Sequence, residues 1–364
     1  LIITDPHLPG DKLPNAFAIL NPRQPGCPYP DKNLAAVGVV LKLVQALFSS
    51  RGREEVVPHF LKMVAIGTVA DMVPLVGENR TIAKLGLSAL STPYNVGLQA
   101  LLRGSGVVPP VDHLDVGFRM APRLNAFTRM GGGAEIVDLF SVADPDLARR
   151  MVEEMNRKNV QRRTEEERIL SELWRRGEED PELLSASFLL VWGDSWHRGV
   201  IGNVAARVVQ KFYRPALVLS LDEDGGQGSG RSIPGFHLLN ALQKVESFFE
   251  RYGGHSQAAG VTVKKEFCNP EGLKQLSQAL SSEVDTCLTP EALVPELKID
   301  SVLPVESLSF DLCAELDRLG PFGVGNPVPL FASRNVPVLE GPWVLKEQHL
   351  KLRAQANGLP VDLI

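Results

Sequence analysis

Leu1-Ile2-Ile3-Thr4-Asp5-Pro6-His7-Leu8-Pro9-Gly10 begins with an apolar, β-branched run and continues as a turn-rich loop. The run reads as a buried strand whose carboxyl end releases the loop. A second short strand is expected at 17–20, ended by Asn21-Pro22. Residues 34–49 carry Leu34, Val37, Val40, Leu41, Val44 and Leu47 at helical spacing, and 60–69 and 81–90 also read as helices. Strands alternating with helices imply an α/β fold with a parallel sheet and functional loops at the strands' carboxyl ends.

The character changes at 144–180, where nine Lys/Arg and eleven Asp/Glu are interleaved with Leu147, Met151, Met155, Val160, Ile169 and Leu173. This pattern predicts one long amphipathic helix joining two bodies; Arg162-Arg163 could touch nucleic acid, but interleaved charges of both signs favour a solvated face. A second α/β unit follows, with strands at 187–192, 216–221 and 259–263 and helices at 201–212 and 237–251. Residues 225–230 read as a glycine-rich turn. Beyond Pro290, short β segments punctuated by Gly320-Pro321-Phe322-Gly323 suggest a small barrel or sandwich.

At 364 residues and 44% hydrophobic, the chain is long enough for two or three domains and is not a disordered polypeptide. The best membrane candidate, 35–48, is short and carries Lys42. A net charge of −5 gives no global nucleic-acid signature, although a local groove can be basic inside an acidic protein. Cys27, Cys268, Cys287 and Cys313 are scattered, as expected of reduced thiols in a cytoplasmic protein, and have no zinc spacing. Residue 1 is Leu, no signal-peptide pattern is present, and both ends stop inside strand-like runs. The sequence is therefore expected to be an internal piece of a longer protein.

Several clusters carry candidate chemistry. Asp5 and His7 lie in the loop after the first strand and suit either a cation or a plain hydrogen-bonded pair. Asp71 interrupts the apolar run Met63-Val64-Ala65-Ile66-Gly67-Thr68-Val69-Ala70, which suits a metal ligand or a turn cap. Arg123, Asn125 and Arg129 offer two guanidinium forks and an amide. Gly228-Ser229-Gly230-Arg231-Ser232 and Tyr252-Gly253-Gly254-His255 read as glycine loops ending in anion-binding side chains. Trp196-His197-Arg198-Gly199 either adds donors at a helix start or is an entry turn stapled by the indole. Without a P-loop, a Ser-His-Asp arrangement or zinc spacing, what remains is metal-assisted phosphodiester hydrolysis, with Arg and His holding phosphate.

Taken in order, these segments resemble the DHH phosphoesterase family, and within it the RecJ single-stranded-DNA exonucleases. Thr4-Asp5-Pro6-His7-Leu8-Pro9-Gly10 is similar to T-D-H-H-L-P-G, and Leu34-Ala35-Ala36-Val37-Gly38-Val39 to L-A-G-V-G-V. Residues 66–75 are similar to L-G-T-V-A-D-V-V-P-L, and 122–129 to P-R-L-N-A-A-G-R. Residues 196–202, 228–232 and 253–255 resemble motifs of the DHH-associated domain, and 320–323 with 349–351 the following OB-fold. The resemblance implies two α/β domains joined by a long helix and followed by a partial β-barrel. The expected borders are 1–143 for the DHH part, 144–180 for the helix, 181–286 for the DHH-associated domain and 287–364 for the OB-fold.

The implied activity is metal-dependent 5′-to-3′ hydrolysis of single-stranded DNA in repair and recombination, with Mn²⁺ or Mg²⁺ as cofactor. The resemblance implies single-stranded DNA as partner, with a helicase or a single-strand-binding protein beside it. By position, Asp5, His7 and Asp71 would be catalytic, His7 and Asp71 also metal-binding. Arg123, Asn125, Arg129, His197, Ser229, Arg231, Gly254 and His255 would hold substrate. The chain departs from the family at Pro6, where a metal-binding His is usual, at Ala36 and Ala121 for glycine, and at Phe127-Thr128 for Ala-Gly. Proline offers no donor atom, so a weakened or lost hydrolytic site is implied. The alternatives are a degenerate single-strand binder and a DHH oligonucleotide or cyclic-dinucleotide phosphodiesterase.

Overall fold

The computed structural model describes residues 1–10, 12–131, 133–346, 349–356 and 358–364. The chain forms two compact units. One comprises Leu1–Pro122, Val142–Arg149 and Leu297–Ile364, the other Arg123–Ser141 and Arg150–Glu296.

In the first unit, β1 (Ile2–Thr4) pairs in parallel with β2 (Ala18–Leu20). Four helices follow: α1 (Ala36–Ser49), α2 (Leu61–Ala70), α3 (Gly77–Leu90) and α4 (Val96–Gly104). The opening run is a strand as expected, but it is not buried: Leu1 is 85% and Ile2 50% exposed. A sheet of two strands covers too little of either face. The core here is Leu34, Val39, Leu41, Val64 and Ile82. At Gly86 of α3, a Cβ would collide with the Leu61 carbonyl oxygen, so α2 and α3 approach only because residue 86 is glycine. Helix α3 starts four residues before the expected 81. The Asp31 carboxylate, distant in sequence, accepts the Glu78 N–H at 3.0 Å and so serves as its cap.

Fully buried Asn79 ties the unit together. Its amide donates to the carbonyls of Asn33 (2.5 Å) and Pro74 (3.1 Å), and its oxygen accepts from Ala35 N (3.3 Å). This fixes the chain leaving Asp71 against the entry to α1. After a π turn at Asp115–Met120, α5 (Ala121–Arg129), α6 (Ala134–Ser141) and the 35-residue α7 (Pro145–Glu179) lead into the second unit.

The second unit has a five-stranded sheet built from β3 (Leu189–Asp194), β4 (Ala216–Asp222), β5 (Gly225–Arg231), β6 (Phe249–Gly254) and β7 (Ala258–Val263). The order is β3-β4-β5-β7-β6, with β3 and β4 parallel and the other pairs antiparallel. Helix α8 (Ile201–Phe212) packs with Ile169 and Leu173 of α7 on one face. On the other lie α9 (Leu238–Lys244) and α10 (Pro270–Cys287).

Two expectations fail here. Residues 225–230 are not a turn but a central strand, because alternate glycines leave room for neighbours. A Cβ at Gly228 would collide with Leu219 and meet Val261 at 2.7 Å, and one at Gly230 would meet Leu238 at 2.9 Å. The helix expected over 237–251 ends at Lys244. Beyond it Phe249 is buried in the sheet core, and pairing with β7 turns 249–254 into an edge strand. Gly253-Gly254 therefore belong to that strand and not to a loop.

The C-terminal part holds β8 (Ser301–Val302), α11 (Phe310–Asp317) and β9 (Phe331–Ala332), with β8 and β9 parallel. It closes with the antiparallel meander β10 (Val338–Leu345), β11 (His349–Ala356) and β12 (Leu359–Leu363). The four cysteines are free, Cys27 and Cys268 half-buried, Cys287 and Cys313 exposed. Among the described residues no helix is long and apolar enough to cross a membrane.

Candidate functional site

In the first unit the loop after β1 holds Asp5 and His7 as a pair. One Asp5 carboxylate oxygen accepts the His7 backbone N–H at 2.7 Å and lies 2.7 Å from ring Nδ1. That backbone N–H, aided by the ring, outweighs partial burial and holds Asp5 below the usual carboxylate range. Buried Asn21 anchors the loop by donating to the His7 carbonyl at 2.7 Å. Asp71 is the residue after α2, its N–H bonded to the Gly67 carbonyl at 3.0 Å, and Met72 then turns into the left-handed region (φ 55°).

The apolar run does not bury Asp71 as its surroundings in sequence suggest. α2 carries the run into the core and ends, leaving Asp71 exposed. The protein around the carboxyl still raises its pKa, and nearby His7 opposes that shift. Asp71 and His7 thus come close, yet among the described residues no group of three or more His, Cys, Asp or Glu side chains could hold a metal ion. Pro6, between Asp5 and His7, supplies no donor atom. Among the described residues, Asp71 and His7 do not by themselves amount to a complete cation site.

The second unit gathers the cationic candidates. Ser229 and Arg231, two apart on β5, share a sheet face, with Arg231 Nη1 donating to Ser229 Oγ at 3.1 Å and to the Gly230 carbonyl at 2.8 Å. Gly202, in the first turn of α8, faces both: a Cβ there would lie 3.1 Å from Arg231 Nη2 and 3.1 Å from Ser229 Oγ. Gly199 leaves similar room beside the Arg129 carbonyl, 2.8 Å from where its Cβ would stand. Arg129 reaches Asn203 of α8, Nη1 to Oδ1 at 3.3 Å. Burial, and secondarily the charge of Arg129, lowers the pKa of Arg231.

Arg162 joins them, contrary to the solvated-face expectation. Its side chain is 12% exposed and donates to Glu166 at 2.7 Å. Burial lowers its pKa, Glu166 opposes, and Arg163 and Arg129 add to the lowering. The reason is helical phase. Asn159, Arg162 and Glu166 lie on the inward face of α7, whereas Val160 is 62% exposed. Arg129, Arg162 and Arg231 therefore converge beside a helix N-terminus lined with glycine, an arrangement suited to a phosphate group.

The other candidates sit nearby or apart. Gly254 pairs with Ala259 and Gly230 with Ala259 from the other side, so Gly254-His255 share the sheet end that carries Arg231. Gly254 has φ 149° and a Cβ would collide with the Ala258 carbonyl, while the His255 N–H bonds that carbonyl at 2.8 Å. The strand donors are side chains, because β5 backbone groups are used by β4 and β7. His197 accepts the Gly199 N–H on Nδ1 at 3.1 Å, which shapes the turn into α8. Buried Trp196 staples that turn, donating to Glu172 at 3.2 Å, and Arg198 is paired with Asp222. Arg123 donates to Asn156 at 2.6 Å, and Asn125 is exposed on α5. Asn203 and Glu166 are the residues that sequence reading missed, and Arg162 is one it named for nucleic acid but set aside as solvated. The spacing 159, 162, 166 in polar residues was the available signal.

Comparison with known proteins places these features. Residues 184–285 match the DHHA1 domain family and 299–364 the RecJ OB domain family. The single-stranded-DNA-specific exonuclease RecJ of Bacillus subtilis (strain 168) is 39% identical across 100% of this chain, which covers 45% of that protein. Its counterpart in Salmonella typhimurium is 34% identical over 98% of this chain and 64% of its own length. A crystal structure of RecJ from Thermus thermophilus in complex with Mn²⁺ superposes with a TM-score of 0.84 at 30% identity, covering all of this chain and 52% of that one. Fold and domains together define a DHH-type protein with a DHH-associated domain and an OB domain. Within that class its likeness is to the RecJ proteins, over its whole length. It spans about half of the Bacillus subtilis relative, at 45%.

Proposed function

We propose that this chain serves in a single-stranded-DNA-specific exonuclease that hydrolyses phosphodiester bonds 5′ to 3′ in repair and recombination. The observation that carries the reading is the convergence of Arg129, Arg162, Ser229 and Arg231 around Gly202. This cradle would hold a strand phosphate through paired guanidinium donors, with Gly254 and His255 bordering it and Arg123, Asn125 and His197 contacting the nucleotide. Water would attack phosphorus, the ester P–O bond would break, and a nucleotide 5′-phosphate would leave.

In this reading Mn²⁺ or Mg²⁺, the ions named in the solved RecJ structures, is the cofactor. Asp71 and His7 are this chain's contribution to the ion, with Asp5 orienting His7. We assign 1–143 to the DHH part, 144–180 to the connecting helix, 181–286 to the DHH-associated domain and 287–364 to the OB domain. Single-stranded DNA is the partner, a helicase or single-strand-binding protein acts alongside, and the compartment is the cytoplasm. A second reading, a strand binder that has lost its catalyst, is favoured by Pro6, which offers no ligand atom.

The test is Mn²⁺-dependent release of nucleotides from a 5′-phosphorylated single strand by the full-length protein containing this chain and by its Pro6→His variant. Cleavage by both supports the exonuclease. Cleavage by the variant alone supports the degenerate binder, and cleavage by neither, with no strand binding, refutes both readings.

A further inference from the structure

Inside this cationic cradle stands one buried carboxylate that the proposed function does not use. The Glu166 side chain is 11% exposed, and its Oε2 accepts from Arg162 Nη1 at 2.7 Å and from Asn203 Nδ2 at 3.4 Å. Its Oε1 lies 3.4 Å from Arg207 Nε. The amide of Asn203 is thereby oriented: its NH₂ faces the carboxylate and its oxygen takes Arg129 Nη1 at 3.3 Å. Arg129, Asn203, Glu166 and Arg162 form one continuous chain of contacts linking α5, α8 and α7.

We propose that Glu166 is a positioning residue that sets the spacing of the cradle's guanidinium groups, so that the cradle takes a single phosphate group in one pose. Two physical considerations lead there. Without a counter-charge, the largely buried guanidinium of Arg162 and the nearby charge of Arg129 repel each other and move apart. A phosphate gains bidentate, charge-assisted bonds only where the donors are held at fixed separation, whereas loose cationic side chains attract any polyanion without discriminating. The carboxylate thus lowers the total positive charge while increasing selectivity for a single phosphate.

The inference rests on reading the cradle as a phosphate site, and the experiment separates the two. Fluorescence anisotropy of a labelled single strand, competed with inorganic phosphate, is measured for the full-length protein and three variants. In Glu166→Gln, ~10-fold more inorganic phosphate is needed to displace the strand, as expected for loss of a charge-assisted contact geometry. Strand affinity at low salt rises about twofold, because the variant is one charge more positive, and its salt dependence steepens. Asn203→Ala, which cuts the link to Arg129 but keeps the buried ion pair, moves phosphate competition the same way by about threefold. A merely structural glutamate would weaken phosphate and strand binding by one common factor, or change neither, and either result overturns the inference. If inorganic phosphate does not compete in the unaltered protein, or Arg231→Ala leaves competition unchanged, the phosphate reading fails and the positioning role falls with it.

Discussion

Gly202→Ala separates binding geometry from stability at the cradle. Residue 202 lies in the first turn of α8 with an ordinary helical backbone, so alanine is conformationally compatible there. Helix propensity favours the variant by about 0.5–1 kcal/mol. The new methyl, however, would stand 3.1 Å from both Arg231 Nη2 and Ser229 Oγ, tighter than ordinary van der Waals contact. Both neighbours are side-chain ends that can yield by a few tenths of an ångström, so the fold accommodates the methyl while the donors shift. Displacing one charged donor from a phosphate costs about 1.5–3 kcal/mol, which is roughly 10- to 100-fold in affinity.

The expected outcome is a melting temperature equal to or above that of the unaltered protein, with binding of a 5′-phosphorylated single strand weakened at least ~10-fold. The control is Gly228→Ala, whose Cβ would run into Leu219 and Val261. Overpacking there should cost about 1–3 kcal/mol of stability and alter binding only through unfolding. A Gly202→Ala protein that binds the strand within twofold of the original, or that melts lower without losing affinity, refutes the assignment of Gly202 to the site.

Asn79→Ala should lower the stability of the first unit by about 3 kcal/mol in urea denaturation, because the Asn33 and Pro74 carbonyls and the Ala35 N–H lose their buried partner together. A loss below about 1 kcal/mol would mean that those groups find other partners. The OB meander should show acid sensitivity. Hydrogen bonds from Arg353 and Lys351 hold the Asp362 carboxyl at about 2, against an ordinary 3.8. A depressed pKa contributes stability above the unfolded value, and this is lost as pH falls from 3.8 toward 2. Amide exchange along β12 should quicken over that interval, and Asp362→Asn should remove the pH dependence; equal pH dependence in both proteins would contradict the assignment.

Much of this protein is legible in its sequence because period and punctuation are local properties. The apolar spacing of 34–49 and 201–212 marks α1 and α8, the charge-rich 144–180 marks α7, and the ordered motifs mark the family. What local patterns could not convey depends on neighbours distant in the chain. Gly226-Gln227-Gly228-Ser229-Gly230 has the composition of a turn, yet becomes the central strand β5 because the leucines of β4 and Val261 of β7 need the space that side chains would fill. Residues 249–254 become a strand through pairing with β7.

Site residues divide along the same line. Arg231, Ser229 and Arg129 stand out by residue type, because guanidinium and hydroxyl donors beside glycine announce anion chemistry anywhere. Whether a particular arginine faces solvent or phosphate depends on helical phase and on what packs against it. Arg162 and Arg163 are adjacent in sequence and about 100° apart around α7, so Arg162 turns inward to Glu166 while Arg163 remains exposed. The sequence by itself determined the chemistry available to this protein. Tertiary packing decided which charges converge, because Coulomb and hydrogen-bond energies depend on distances that a linear order of residues does not contain.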